Sequence, residues 1–272
     1  MNGRELREAL HAGDRVYGTC VLSPAPQWPA MIAGTGLDFV FLDTEHVVLD
    51  RNELSWMCQA YSGLGLAPVI RIPSPDPYRA CQMIDGGAAG VIAPYLESVD
   101  QVQQHRGAVK LRPLKGQRLQ RVLAGEEVLD DELQAYLDNY NKNNVCIINI
   151  ESVPALETLD DIVAVPGVDA LLVGPHDLSI NLGIPEQYGH PRFEEAIQTI
   201  IKKGRGAGLG VGIHFSDGME PMIGWAKSGM NLILHSSDKQ VVNEYMTSDI
   251  AHLREELGDQ REGRTDVGGL DV

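Results

Sequence analysis

Short apolar runs rich in β-branched residues recur along the chain, and between them apolar positions repeat at helical spacing. In order the runs cover 16–22, 39–43, 68–72, 90–95, 145–150, 170–173, 210–214 and 232–235. They are continuous rather than alternating, as strands of a parallel sheet are when both faces are buried. Eight strands alternating with helices over about 250 residues predict an α/β protein, a (β/α)8 TIM barrel. The competing architecture is a doubly wound open sheet. Against it, no G-x-G-x-x-G follows the first strand, and Gly34-Thr35-Gly36 precedes a strand instead.

Three segments stand outside the alternation. Val109-Lys110-Leu111 reads as an extra strand leading into the basic segment RPLKGQRLQR. Residues 126–144 read as a helix plus loop inserted before strand five. The barrel domain is therefore expected over 1–257, closed by a helix at 241–257. Residues 258–272, GDQREGRTDVGGLDV, are polar and Gly-rich with little to bury, so a flexible tail is expected there.

Composition narrows the functional classes. The 272 residues are 43% hydrophobic, enough for a sizeable core without staples. The formal charge of −16 gives a surface that repels phosphate backbones and anionic lipid, which argues against nucleic-acid and membrane partners. Cys20, Cys58, Cys81 and Cys146 have no zinc-ribbon or CxxC spacing and sit in or beside apolar segments, as reduced, buried thiols do. The N-terminal MNGRELREALHAGDR reads as a charged amphipathic helix, not a signal peptide, and no apolar stretch approaches ~18 residues. A soluble, cytoplasmic protein is expected.

Candidate chemistry lies at the C-terminal ends of the strands, where barrel enzymes place it. Strand two ends in LDTEH with Asp43, Glu45 and His46, strand three in Arg71, strand five in Glu151, and strand six in GPHDLS with Asp177. Each has a structural alternative: a helix cap for Asp43, an ion-pair partner for Arg71, and compensation of a positive helix end for Glu151 or Asp177. Jointly, several charges at one barrel mouth are costly without a ligand or metal. Glu151 and Asp177 are oxygen donors of the kind Mg²⁺ or Mn²⁺ prefers. An arginine beside them can hold a substrate carboxylate or stabilise an enolate, and a histidine supplies a base near neutrality.

The segments FVFLDTEHVVLD, VIRIP, INIESVPALETLDDIVAVPGVDALLVGPHDLSINLG and GHPRFEEAI resemble the HpcH/HpaI aldolases, the metal-dependent class II pyruvate aldolases, over roughly residues 5–255. The resemblance implies a barrel of the phosphoenolpyruvate/pyruvate-domain type. It implies that Glu151 and Asp177 bind a divalent metal (Mg²⁺, Mn²⁺ or Co²⁺), that Arg71 stabilises a pyruvate enolate, and that His46 acts as base, oriented by Asp43. Glu45 would contribute a contact near the metal, and Gly174 and Pro175 would line the pyruvate pocket. The implied reaction is cleavage or formation of a 4-hydroxy-2-oxo acid, with a 2-oxo acid (pyruvate or oxaloacetate) and an aldehyde as partners. The implied assembly is a homo-oligomer, a hexamer, built of dimers exchanging a C-terminal helix.

The chain departs from the family pattern at several places. K-G-Q-R-L keeps Gly116 and Arg118 but has Leu119 for a glycine, and the segment after it is rearranged. Cys20 stands where an aromatic often lines the aldehyde pocket, and His176 replaces a small residue. His214 and His235 end strands that are usually less basic. These residues are candidates for the acceptor side. They keep a second reading open: a relative that condenses or decarboxylates oxaloacetate, like the citrate-forming enzyme of siderophore pathways. A tricarboxylate product would call for extra cations, with Lys115, Arg118 and Arg121 as candidates. A third reading, a non-catalytic scaffold, would be expected to have lost part of the metal, arginine and base set, and all of it is present.

Overall fold

The computed structural model describes residues 1–259. Its strands are β1 (Val16–Cys20), β2 (Phe39–Asp43), β3 (Ala67–Arg71), β4 (Gly90–Ala93), β5 (Val145–Ile150), β6 (Ala170–Val173), β7 (Gly210–Phe215) and β8 (Leu232–Ser237). They close in chain order into a parallel barrel, β8 returning to β1. The fold is the expected (β/α)8 barrel. Several boundaries shift by one or two residues: β1 stops at Cys20 rather than residue 22 and β4 at Ala93 rather than 95, β3 sits one residue earlier, and β7 and β8 run on to Phe215 and Ser237.

Helix α1 (Gly3–Ala12) precedes the barrel and touches β1, β3, β5 and β7, so it lies across the N-terminal end. An Asn2–Glu5 capping box starts it and left-handed Gly13 ends it. Its Leu6 and Leu10 complete the inner core with Val16, Ala67, Val145, Ala170 and Leu232. This hydrophobic plug leaves only the opposite end for chemistry.

The outer layer carries α2 (Trp28–Ala33), α3 (Arg51–Gly63), α4 (Pro77–Asp85), α5 (Val99–Lys110), α6 (Gly116–Leu123), α7 (Asp131–Tyr140), α8 (Val153–Glu157), α9 (Leu159–Val163), α10 (Pro175–Asn181), α11 (Pro191–Gly206), α12 (Met219–Lys227) and α13 (Asp238–Leu257). Residues 109–111 form no strand. The Ser98 capping box starts α5, whose buried residues Val102, His105 and Val109 share one face, and the apolar triplet is simply its last turn. The inserted helix before β5 is present as α7, with α6 ahead of it. The excursion is tied off at its base: Asn141 Nδ2 donates to Arg112 O at 2.7 Å, and Asn144 Nδ2 to Val109 O at 3.0 Å.

The terminal helix is α13, three residues longer at its start than expected. Only Asp238 is buried in it, while Val241, Val242, Tyr245, Met246, Ile250, Leu253 and Leu257 are exposed. Between β1, β8 and α12 lies an apolar groove of about 450 Å³ lined by Tyr17, Leu37, Met222, Ile223, Ala226 and Ile233. Of the expected tail, Gly258 caps α13 in the left-handed region. Residues 260–272 lie outside the described residues.

Strand register stacks the inward side chains in layers of four from alternate strands. Gly18, Val69, Ile147 and Gly212 form one, and Phe41, Ile92, Leu172 and Leu234 the next. Gly18 is small because Phe39 fills its place: a Cβ there would lie 2.4 Å from Phe39 Cζ. Two residues further along the odd strands come Cys20, Arg71, Asn149 and His214. The core thus turns from aliphatic to polar within one layer, and the site stands on that boundary.

Candidate active site

Arg71 is the centre of the polar layer. Its guanidinium lies over the Phe41 ring of the apolar layer below, Cζ 5.4 Å from the ring centroid. Nε donates to Asp43 Oδ1 at 2.8 Å and Nη2 to Asp43 Oδ2 at 2.7 Å, a bidentate pair across two neighbouring strands. Glu45 Oε2 adds a second contact, 3.2 Å from Nε. Burial works against the Asp43 carboxylate, yet Arg71 overrides it and holds the carboxyl below its ordinary range. Burial alone would lower the Arg71 pKa; Asp43 and Glu45 turn the balance upward.

Here the expected role of Asp43 changes. Both its oxygens face Arg71, and Oδ1 also accepts from Glu45 N at 3.0 Å. Its hydrogen bonds go to Arg71 and Glu45 N, and His46 is not among its bonded partners. His46 stands half-exposed at the rim, with Nε2 3.8 Å from Glu45 Oε2. Glu45 therefore lies between the His46 imidazole and the Arg71 guanidinium, and burial raises its own pKa.

Glu151 follows β5 and is 1% exposed. Oε1 accepts from Tyr95 N at 2.7 Å and Oε2 from Asn149 Nδ2 at 2.8 Å. Burial pushes its carboxyl up to about 7, with Glu45 and Asp177 adding to the rise and Arg71 opposing it. Gly174, the residue after β6, makes room for it: a Cβ there would lie 2.3 Å from Glu151 Oε2. Pro175 then opens α10 with a ring that needs no N–H partner. Asp177 follows in the first turn, its Oδ1 accepting from Tyr95 Oη at 2.6 Å. Asn181 Nδ2 closes the arrangement on Asp177 O at 3.1 Å and Glu151 O at 3.3 Å.

Asp43, Glu45, Arg71, Glu151, Asp177 and Gly174 thus come together, with His46 at the edge. The acceptor-side candidates divide. Cys20 is buried in the polar layer, and burial pushes its thiol well above the ordinary value. His214 shares that layer. Its ring meets Phe41 edge-on at 5.6 Å, its Nε2 donates to Ser236 O at 3.1 Å, and burial lowers its pKa to about 4, so the imidazole is neutral. The other three are elsewhere. His235 lies one residue beyond inward Leu234, so it faces the outer groove. His176 is exposed, 3.5 Å from Glu186. Arg118 sits on the α6 flank, where it and Arg121 both pair with Glu127 at 2.7 Å.

Three contributors escaped the sequence reading. Asn149 was legible, since two residues before Glu151 on a strand means the same face. Tyr95 gave no signal, because it looked like the end of an apolar run. Ser236 sits at a β-bulge where β8 gains a residue against β1, with φ at +55°.

The donor chemistry suits a hard divalent cation. Among the described residues no three His, Cys, Asp or Glu side chains gather closely enough to enclose an ion. Glu151 and Asp177 would therefore supply two oxygens and leave the other positions to water or substrate, as Mg²⁺ sites commonly do.

Comparison with known proteins bears on the family and the fold. The model of the HpcH/HpaI aldolase/citrate lyase family matches residues 20–235. A 2-keto-3-deoxy-L-rhamnonate aldolase of Salmonella gallinarum is 28% identical over 250 residues, covering 91% of this chain and 92% of that protein. The HpcH/HpaI aldolase of Desulfitobacterium hafniense superposes with a TM-score of 0.78 at 26% identity, covering 92% of this chain and 96% of the other. The citrate synthase SbnG reaches the same TM-score at 25% identity, covering 93% and 99%. With the family model matching most of the chain and an aldolase relative spanning nearly all of it, the chain belongs to the HpcH/HpaI aldolase/citrate lyase family of lyases.

Proposed function

We propose that this protein is a divalent-metal-dependent aldolase that cleaves, and in reverse forms, a 4-hydroxy-2-oxo acid through a pyruvate enolate and an aldehyde. The observation that carries the reading is the placement of a buried, doubly anchored arginine in the same mouth as Glu151 and Asp177. Those two carboxylates would hold the ion; Mg²⁺, Mn²⁺ and Co²⁺ all suit oxygen donors. When bound, the ion supplies Lewis-acid polarisation of the 2-oxo group.

In the cleavage direction the C3–C4 bond breaks as the 4-hydroxyl proton leaves and C4 becomes an aldehyde carbonyl. The electron pair passes to C3 and the 2-oxo oxygen, giving the enolate, which then takes a proton at C3 to become pyruvate. Arg71 presents Nη1, the guanidinium nitrogen outside its pair with Asp43, to the developing negative charge. Because Asp43 fixes the guanidinium plane, that donor is in place before the charge forms. His46, exposed at the rim beside Glu45, handles the 4-hydroxyl proton through a water.

The oxaloacetate-condensing alternative draws support from the likeness to SbnG. The acceptor side weighs against it: Arg118 and Arg121 pair with Glu127 on the α6 flank, while Cys20 and His214 next to Arg71 are uncharged. A neutral aldehyde suits that wall better than a further carboxylate. The test is pyruvate release, followed by coupled NADH oxidation, from a panel of 4-hydroxy-2-oxo acids with and without Mn²⁺. Metal-dependent release supports the aldolase; no release, with citrate formed from oxaloacetate and an acetyl-CoA donor, favours the alternative.

We also infer that the groove beside β1 and β8 receives α13 of a second copy. The groove is apolar, and α13 leaves its apolar residues exposed on its own barrel, so reciprocal exchange would cover both. Hexamer assembly would stack such dimers.

A further inference from the structure

We propose that Tyr95 is a positioning residue that locks Glu151 and Asp177 into a single frame for a divalent cation. The proposal rests on the reading that these two carboxylates hold the metal, and goes beyond it by assigning the residue that sets their separation.

Glu151 and Asp177 come from different loops, one directly after β5 and the other in the first turn of α10 after β6. Asn181 ties the two backbones through Glu151 O and Asp177 O, but it bonds neither carboxylate and does not fix the distance between them. Tyr95, from a third loop after β4, does so with two donors: its N–H to Glu151 Oε1 at 2.7 Å, and its hydroxyl to Asp177 Oδ1 at 2.6 Å. The backbone is bent to make this possible. Tyr95 has a φ of +48°, in the left-handed region that bulky side chains rarely enter. Such strain at a tyrosine persists where other interactions over-determine it, and the two bonds are those interactions.

The effect on the carboxylates is specific. Asn149 takes Glu151 Oε2 while Tyr95 N takes Oε1, so the plane of the carboxylate cannot rotate and only its remaining lone pairs face the mouth. On Asp177 the tyrosine hydroxyl engages Oδ1, leaving Oδ2 outside the bond. A donor that orients a ligating oxygen in this way typically changes metal affinity about 10- to 100-fold when removed.

Calorimetric Mn²⁺ titration of the full-length protein, Tyr95→Phe and Tyr95→Gly tests this, with thermal melts of the metal-free proteins alongside. Tyr95→Phe keeps the ring and should weaken Mn²⁺ binding by about 10- to 100-fold without lowering the melting temperature. Tyr95→Gly accepts the positive φ without strain, so it should also fold normally while binding Mn²⁺ at least as weakly. A residue needed only for folding would show the reverse, lowered melts with unchanged affinity, and that result would overturn the proposal. Tight Mn²⁺ binding by wild type and both variants would also overturn it while leaving the metal-site reading intact. Absence of Mn²⁺ binding by wild type would overturn both.

Discussion

Asp43 grips Arg71 at two points, 2.8 Å from Nε and 2.7 Å from Nη2, with both side chains taken out of solvent. Their strands are neighbours, and Asp43 and Arg71 are direct partners in the β2–β3 register. A buried pair of this kind adds little over an apolar replacement, but removing one member strands the other charge. Asp43→Asn is expected to lower unfolding free energy by about 3–5 kcal/mol, measured by urea denaturation. It should also reduce turnover on the order of 10²-fold, because Arg71, the proposed enolate donor, loses its fixed plane. If Asp43 instead served His46, the variant would shift the pH profile and leave stability nearly unchanged.

Gly174 tests the other half of the site. Its would-be Cβ lies 2.3 Å from Glu151 Oε2 and 3.0 Å from Glu151 Cβ, so alanine cannot enter unless the carboxylate moves. The substitution is at the mouth rather than in the aliphatic core. Gly174→Ala is therefore expected to weaken Mn²⁺ binding at least tenfold. Its melting temperature should stay within a few degrees of wild type. Unchanged Mn²⁺ affinity in calorimetry would show that Glu151 tolerates displacement.

Acid stability follows from buried imidazoles. His105 is 3% exposed, with Nε2 donating to Val91 O, and burial lowers its pKa to about 4. His214 is lowered to the same region by burial. In the unfolded chain a histidine titrates near 6.5, so between about pH 6.5 and 4 the unfolded state binds protons that the folded state refuses. The stabilisation from neutral burial is complete above about 6.5 and is lost as pH falls toward 4, on the order of 3 kcal/mol for His105. His11 has the opposite sign: its bond to Asp169 raises its pKa, so its contribution is present below 6.5 and fades as pH rises. Its side chain is 41% exposed, and solvent screening keeps that contribution small. Glu151, raised to about 7, has the opposite sign over the same window, so the test is a difference: from pH 7.5 to 5 wild type should lose more melting temperature than His105→Gln.

The barrel was legible because continuous apolar runs at regular spacing leave few alternatives, and polar strand ends located its mouth. Individual roles were less legible, for reasons of geometry. Asp43 and His46 are three residues apart and looked like a dyad, whereas Asp43's partner is 28 residues away and meets it only through parallel register. His214 and His235 each end a strand, but His214 shares the inward parity of Gly212 while His235 alternates with inward Leu234. Counting parity separates them; counting strand ends does not. Arg118 looked available because its partner Glu127 lies across a turn that no periodicity reveals. Tyr95 was hidden by a backbone angle that the residue type does not suggest.

Exchange of the pyruvate C3 protons in D₂O, followed by NMR with Mn²⁺ or Mg²⁺ and then with EDTA, reads enolate formation without requiring the acceptor. Rapid exchange that needs the metal and disappears in both Arg71→Ala and Glu151→Ala is the expected result. No exchange with any divalent metal, in a protein that remains folded, would contradict the pyruvate aldolase reading.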